Sequence, residues 1–444
     1  MNETICALAT ASGGALGIIR ISGTQALEIL SHLFTKDLTN AHPNTIHYGH
    51  IVEYDAVLQH QNIIDEVLVS VFRAPHSYTG EDSAEISCHG SRYILNKVLE
   101  LLVSNGCRMA KPGEFTMRAY LNGKMDLSQA EAVADLIASS NRATHRMAMS
   151  QLRGGVSTEL GLLREQLLKL TSLIELELDF SDHEDLEFAN RTELLELTQT
   201  IDTHISQLAQ SFQLGNALKN GIPVAIIGAP NVGKSTLLNA MLGEERAIVS
   251  DTEGTTRDAI EDTIQLGDVT FRFIDTAGIR HTDDIIENLG IERSIAAAQH
   301  ARIILLMTEP GVPYPVVPVR DDQTVIRIEN KSDLDIAHSD AEATIAISAK
   351  YGIGLEKLCQ RLIEAIPQTS NDDIVITNIR HYEALQRAHT HLQRVLNGLQ
   401  QQLSGDLLSE DLRQVLDTLA EITGTQITPQ ETLNNIFKHF CFGK

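Results

Sequence analysis

The chain has 444 residues, 43% hydrophobic and 21% charged, too long for a single core and pointing to about three domains of ordinary globular composition. Its 35 Lys and Arg stand against 59 Asp and Glu, and the formal net charge of -24 excludes a protein that coats nucleic acid by bulk electrostatics. Any RNA contact has to be local or shared with a partner. The five cysteines, Cys6, Cys88, Cys107, Cys359 and Cys441, are odd in number and form no C-x-x-C pair, which suits a reducing cytoplasm rather than disulfides or zinc. The start, Met1-Asn-Glu-Thr-Ile-Cys-Ala, lacks a basic region before an apolar stretch, and no apolar run reaches about eighteen residues, so neither an export signal nor a membrane span is expected.

From Met1 to about Arg118, short apolar runs such as Gly17-Ile-Ile-Arg-Ile-Ser22 and Glu66-Val-Leu-Val-Ser-Val-Phe72 alternate with Gly, Pro, Asn and His. They predict the strands of an α+β domain, residues 1–118, with a helix over Ser91 to Asn105. No proline occurs between Pro112 and Pro223, and Leu, Ala, Glu and Gln recur at helical spacing, so residues 119–215 read as a helical domain. Residues 216–371 return to alternating strands and helices, an α/β pattern with a mostly parallel sheet, and helical texture resumes over 372–444. An α/β domain inserted into a helical one is the expected architecture, although two separate helical units would give the same one-dimensional pattern. The acidic run Asp179 to Glu187 reads as a solvated loop.

The α/β part contains Gly228-Ala-Pro-Asn-Val-Gly-Lys-Ser-Thr236, the spacing of a phosphate-binding loop, between the apolar run Ile222–Ile227 and the helical Leu237–Leu242. Gly228 and Gly233 allow successive N–H groups to point at phosphate oxygens beside a helix N-terminus. Lys234 would reach the β- and γ-phosphates, and the Ser235 hydroxyl is placed for Mg²⁺. Asp275-Thr276-Ala277-Gly278 follows the strand Val269–Ile274, so that Asp275 can hold Mg²⁺ and the Gly278 amide can approach the γ-phosphate. Gly254-Thr255-Thr256-Arg-Asp258 lies where a switch would lie, with Thr256 as second Mg²⁺ ligand. Asn330-Lys331-Ser-Asp333 follows the strand Thr324–Glu329. The Asp333 carboxylate can accept both donors on guanine's Watson–Crick edge, where adenine offers an acceptor and no amine, so the nucleotide is GTP. Ser348-Ala349-Lys350 would bring backbone N–H groups to the guanine oxygen. Val232 and Thr236 complete the loop's contacts, and Ser250, Asp251, Thr252 and Glu253 those of the switch.

The order of these motifs resembles the GTP-binding proteins of the translation-factor class, with two departures. Ile279 stands where Ras-like proteins carry a water-orienting glutamine, and isoleucine cannot hydrogen-bond a water, so the catalytic group comes from elsewhere. A proline-rich segment, Pro310 to Pro318, replaces the helix expected between two strands.

Over its whole length the chain resembles the tRNA-modification GTPase family MnmE, also called TrmE. The resemblance rests on Gly17-Ile-Ile-Arg-Ile-Ser-Gly23, Ser77-Tyr-Thr-Gly-Glu-Asp82, Pro112-Gly-Glu-Phe-Thr116, Leu121-Asn-Gly-Lys-Met-Asp-Leu-Ser-Gln-Ala130 with its continuation to Ile137, the GTPase motifs, and Cys441-Phe-Gly-Lys444. It implies a folate-binding N-terminal domain that dimerises, an inserted GTPase domain, and joint action with the flavoprotein MnmG (GidA), in a heterotetramer, on carbon 5 of the wobble uridine of certain tRNAs. Carried over residue by residue, a 5-formyltetrahydrofolate or related reduced folate would meet Arg20, Glu85, Lys124 and Lys444, Cys441 would lie near the modification centre, and Glu287 matches the family's catalytic glutamate. The resemblance also implies K⁺: Asn231, three residues before Lys234, could coordinate it, with Ser250, Thr252 and Thr255 completing the oxygen shell. The loop Thr10–Gly17 lacks a proline usual there, His281 replaces an acidic residue, and Phe442 an aliphatic one. The runner-up class is a ribosome-assembly GTPase, which shares the Pro-Asn-x-Gly-Lys-Ser loop but has no need of the first 118 residues or the terminal cysteine.

Overall fold

The computed structural model describes residues 3–11, 13–55, 60–179, 191–244, 262–274, 296–334, 344–367, 374–425, 430–438, 440, 441 and 443. They divide into two compact units, one of residues 1–138, 148–201 and 387–444, the other of residues 139–147 and 202–386.

The first unit opens on a six-stranded sheet of β1 (Ile5–Leu8), β2 (Leu16–Ser22), β3 (Thr45–Asp55), β4 (His60–Phe72), β5 (Ser83–His89) and β6 (Arg108–Met109), in the order β3-β4-β5-β2-β1-β6. Every neighbour pair is antiparallel except β1 with β6. Helices α1 (Ala26–Leu33) and α2 (Arg92–Ser104) contribute to its apolar core, so the strands alternate. In β2, Ile19 and Ile21 are fully buried in that core, while Arg20 lies between them on the opposite face, in register with Glu85 of β5. The flanking glycines are steric requirements. A Cβ on Gly17 would stand 2.6 Å from Leu95 Cδ2 of α2, and one on Gly23, where φ is +141°, 2.7 Å from Thr4.

The helices α3 (Glu114–Leu121), α4 (Leu127–Ala138), α5 (Arg142–Leu152), α6 (Gly155–Asp179) and α7 (Arg191–Asn220) follow; helical structure thus begins at Glu114, ahead of the change in composition at Ala119, because Gly113 takes a left-handed φ of +67° and starts α3. Asp126 and Gln129 start α4 with a reciprocal cap: Gln129 N–H donates to Asp126 Oδ1 at 2.8 Å, and Asp126 N–H to Gln129 Oε1 at 3.0 Å. On α6, Leu160, Leu163, Leu167, Leu170 and Ile174 recur at spacings of three and four and are all buried. The helix packs against one from far along the chain, α11 (Gly405–Thr423), so helical segments on both sides of the nucleotide motifs share one body. Leu433 and Phe437 of α12 (Gln430–Phe437), with Phe440, pack on Leu127 and Ala130 of α4. The run 180–190, with most of the acidic stretch, lies outside the described residues.

The second unit carries a sheet in the order β12-β11-β10-β7-β9-β8. Strands β7 (Ile222–Gly228), β9 (Val269–Phe273), β10 (Ile303–Thr308), β11 (Thr324–Glu329) and β12 (Thr344–Ala346) are parallel, and β8 (Asp262–Leu266) pairs antiparallel with β9 at the edge. Both faces are covered, which is why its strands are continuous apolar runs. Val224, Ile226, Ile303 and Leu305 face a core that includes α8 (Lys234–Glu244) and α9 (Leu355–Glu364), while Ala225, Ile227, Ile304 and Leu306 face the other way. Helix α10 (Ile379–Gln400) follows this sheet. On the second face the proline-rich segment does the work of the missing helix. Tyr314 and Val317, three residues apart, pack on the sheet cluster, the Arg327 guanidinium lies 5.9 Å from the Tyr314 ring, and Val316 between them is 99% exposed. A spacing of three is the period of an extended polyproline strand, and here it places Tyr314 and Val317 on the sheet with Val316 facing away.

Candidate nucleotide site and N-terminal pocket

The phosphate loop joins the C-terminal end of β7 to α8, where ligands sit in parallel sheets. Asn231 adopts φ +60° and Gly233 φ +99°, two left-handed residues that curl the loop. Asn tolerates this region because its short polar side chain can bond locally; at Gly233 a Cβ would lie 2.3 Å from Asn330 Nδ2, so any side chain there would have to displace that amide. A Cβ on Gly228 would meet Met307 O at 2.5 Å. Lys234 Nζ donates to Gly228 O at 2.8 Å and Ala229 O at 2.9 Å, and burial holds its pKa below that of an ordinary lysine.

Asn330 ties this loop to the base-recognition segments. It is 3% exposed, its Nδ2 donates to Val232 O at 2.8 Å, and its Oδ1 accepts from the Ala349 N–H at 3.0 Å. One side chain thus holds three of the predicted motifs in register. The Ser348 hydroxyl donates to Asp333 Oδ1 at 2.6 Å, and this bond is the main reason that the exposed Asp333 carboxyl titrates below the usual range. Asp333 therefore stays ionised with Oδ1 oriented, a state suited to accepting from two adjacent donors. The expected delivery of backbone N–H groups by Ser348-Ala349-Lys350 is modified: Ser348 N–H donates to Ile353 O at 2.9 Å and Ala349 N–H to Asn330, while the Lys350 ammonium sits 5.0 Å from the Tyr351 ring. Lys331 Nζ donates to the Glu309 carboxylate at the end of β10. Glu309 does not stand out in the sequence, because it belongs to no phosphate or base motif, and Ser348 was expected to act through its backbone rather than through the hydroxyl that holds Asp333.

The oxygen donors at the loop, the Asn231 amide carbonyl and the Ser235 hydroxyl, suit hard cations such as Mg²⁺ and K⁺. Ser250, Asp251, Thr252, Glu253, Gly254, Thr255 and Thr256, together with Asp275, Thr276, Ala277, Gly278, Ile279, His281 and Glu287, fall outside the described residues.

In the first unit, Arg20 sits in a cavity of about 80 Å³ lined by Tyr78, Thr79, Ser83, Glu85, Phe72 and Phe115, among others. Its Nε donates to Glu85 Oε1 at 2.7 Å, its Nη1 to the carbonyl of Gly443 at 3.1 Å, and its guanidinium stands 5.8 Å from the Tyr78 ring. Burial raises the Tyr78 pKa, and its hydroxyl shares a 2.8 Å hydrogen bond with Thr116. The C-terminal segment is seated here by shape: a Cβ on Gly443, at φ +82°, would strike Leu8 O at 2.4 Å, and Gly113 N–H donates to Cys441 O at 3.4 Å. Cys441 is exposed. Lys124 is placed differently from Arg20 and Glu85. Its Nζ donates to Pro75 O at 2.8 Å, and its stem packs against Gly80. Lys444 and Phe442 are outside the described residues.

A buried charge network adjoins the pocket, and no sequence motif points to it as a site. Arg118, 2% exposed, donates to both oxygens of Glu81 at 3.2 and 2.9 Å, to Glu3 O at 2.9 Å and to the buried Glu114 at 3.2 Å. Glu81 also accepts from Ser22 Oγ at 2.8 Å, and Asp82 from Arg73 at 2.9 Å. The stretches Ser77–Asp82 and Pro112–Thr116 are therefore the two halves of one polar frame around the Arg20 pocket.

A family model described as GTP-binding protein TrmE N-terminus matches residues 4–124, and one described as MnmE helical domain matches residues 127–441. The protein named tRNA modification GTPase MnmE from Phocaeicola vulgatus is 54% identical over 100% of this chain and 99% of its own length. Those of the same name from Parabacteroides distasonis and Christiangramia forsetii are 51% and 47% identical, each over 100% of both chains. The chain belongs to the MnmE family of tRNA modification GTPases.

Proposed function

We propose that the chain is a K⁺-dependent GTPase which, with a flavoprotein partner of the MnmG (GidA) kind, modifies carbon 5 of the wobble uridine in certain tRNAs, using a one-carbon unit from a reduced folate such as 5-formyltetrahydrofolate. The observation that carries the GTPase part is the Asn330 bridge, which fixes the phosphate loop and the guanine-reading loop as one site. Lys234 and the loop amides bind the phosphates, Asp333 selects guanine, and Glu287 orients the attacking water that Ile279 cannot. Ser235 and Thr256 would hold Mg²⁺, and Asn231, Ser250, Thr252 and Thr255 would hold K⁺, cations whose positive charge would stabilise the phosphates as GTP is cleaved. Wild-type turnover is expected to fall at least about tenfold when KCl is replaced by NaCl at equal ionic strength, since stabilising charge at this position is worth 10³–10⁵ in rate. Equal rates in the two salts would sink the K⁺ reading. Because Asn231 sits at φ +60°, the partner substitution is Asn231→Gly, which removes the amide carbonyl without straining the backbone.

The modification part is supported by the Arg20–Glu85 pocket and by the docking of the Cys441–Gly443 segment beside it. A folate's glutamate tail suits Arg20, and its pterin ring suits a cavity walled by Tyr78, Phe72 and Phe115. Ile46, Tyr48 and Leu68, which are 68, 54 and 47% exposed on the β3–β4 hairpin, offer an apolar face for the homodimer that the family resemblance implies. A cytoplasmic setting agrees with the five free cysteines. Cells lacking the protein should carry wobble uridines unmodified at carbon 5 by mass spectrometry of tRNA nucleosides, and Cys441→Ser should fail to restore them while GTP turnover persists. Arg20→Ala should lose calorimetric binding of formyl-tetrahydrofolate. Normal uridines in the deletion strain would reject the tRNA assignment, and wild type that binds no folate would reject the pocket's.

A further inference from the structure

We infer that Glu309 is a positioning residue of the guanine site, holding the Lys331 ammonium away from Asp333 so that the Asp333 carboxylate stays available to the base. This rests on the reading of Asn330–Asp333 as the base loop. β10 and β11 run parallel in register up to Thr308 and Glu329, and the Asn330 N–H adds one more rung, donating to Thr308 O at 2.8 Å. Glu309 and Lys331 are the next residues on each side, and there their side chains meet in an ion pair, each 37% exposed. Both ends of the pair are fixed by backbone. Lys331 adopts φ +64°, a left-handed conformation that gives its side chain a direction a continued strand would not. Glu309 is held in a turn in which Val312 N–H donates to Glu309 O at 3.1 Å and the buried Thr308 hydroxyl donates to Val312 O at 2.9 Å. That turn leads into the polyproline segment anchored by Tyr314 and Val317.

The pair resolves a conflict of charges. Asp333 is held ionised first by the Ser348 hydroxyl, and the charges of Lys350 and Lys331 act in the same direction. An unrestrained ammonium two residues away competes with guanine for the carboxylate, while an unpaired acid beside a polyphosphate site repels its ligand. Joining Glu309 to Lys331 removes both problems.

The test measures affinity for a fluorescent GDP in Glu309→Gln and Glu309→Asp. The Gln variant should bind about three- to tenfold more weakly, the size expected of a half-exposed charge pair that orders a ligand-facing side chain, with the loss in turnover falling on KM rather than kcat. The Asp variant should recover part of the loss. In a Lys331→Ala background Glu309→Gln should cost nothing further, and tripolyphosphate, which lacks a base, should displace the fluorescent GDP with an unchanged Ki. GDP affinity equal to wild type, or a parallel loss of tripolyphosphate binding, would overturn the inference. Asp333→Asn separates it from the reading beneath it: that variant should lose GDP and gain xanthosine diphosphate, whose ring has a carbonyl where guanine has an amine. If it does not switch, the base loop is misread; if it switches while Glu309→Gln is silent, only Glu309's role falls.

Discussion

A Gly233→Ala protein is expected to bind GTP and GDP at least about a hundredfold more weakly than wild type, while remaining folded. An L-residue at φ +99° costs on the order of 1–2 kcal/mol, before any contact is counted. The new methyl would also stand 2.3 Å from Asn330 Nδ2 and push that amide off Val232 O. A buried amide that loses its partner costs about 1–3 kcal/mol more, and the combined loss of roughly 3 kcal/mol is the hundredfold. The same displacement would loosen the Ala349 link, so that phosphate and base recognition fail together. Equilibrium titration with a fluorescent GDP measures it. Gly243→Ala on α8 is the control, because a Cβ there meets nothing within 4 Å and the helix gains from the exchange. Wild-type affinity in Gly233→Ala would show that the Asn330 bridge does not organise the site.

Arg118→Ala should destabilise the first unit by about 3–5 kcal/mol, because it strands carboxylates whose partner is removed rather than replaced. Glu114 is 4% exposed and would keep only Arg108 as a cationic partner, and Glu81 would lose two hydrogen bonds. Chemical denaturation followed by hydrogen exchange in β1, β2 and β5 reports on this unit separately from the other. The triple variant Arg118→Met, Glu81→Gln, Glu114→Gln should lose less than Arg118→Ala alone, because no unpaired charge is left inside. There is a pH counterpart. Burial pushes the Glu114 pKa up, but the hydrogen bonds from Arg108 and the Lys111 N–H, with the charges of Arg108 and Arg118, bring it below its usual value. A depressed folded pKa contributes stability above the unfolded value of about 4.3, and that stability is lost as pH falls through the folded pKa. Removing Arg118 takes away one of the charges that depress it, so the acid transition should move to higher pH. An unchanged midpoint and an unchanged acid transition would both contradict the network.

The nucleotide site was legible because its geometry is local. Gly233 and Asn231 mark a backbone turn that few residues can make, Gly228 a close approach to Met307 that only glycine allows, and the phosphate and base motifs follow apolar runs that read as buried strands. What could not be read was who holds whom across the chain. Asn330 reaches Val232 over 98 residues and Arg118 reaches Glu3 over 115, and no periodicity encodes such pairings. The N-terminal pocket shows the same division. Arg20 and Glu85 are opposite one another by strand register, whereas Lys124, equally prominent in sequence, is drawn to Pro75 by a loop whose path depends on Gly80 and Asn122. The proline-rich segment was visible as a gap in the helical pattern, but its covering of the sheet through Tyr314 and Val317 depends on a three-residue period for which neither strand nor helix templates search.

The seating of Gly443 on Arg20 also sets a timetable. The carbonyl that completes this arginine's partners is translated 423 residues after it, which at about 5–20 residues per second is a delay of roughly 20–80 s. Glu85 follows Arg20 by only 65 residues, so for most of that interval the nascent sheet can pair the two, yet the surface at Gly113 lacks the Phe437 and Phe440 that later cover it. The strands and the pocket lining of this unit are thus made well before the segment that docks beside Arg20, so termination within the nucleotide-binding segment yields an N-terminal fragment with an apolar docking face still bare.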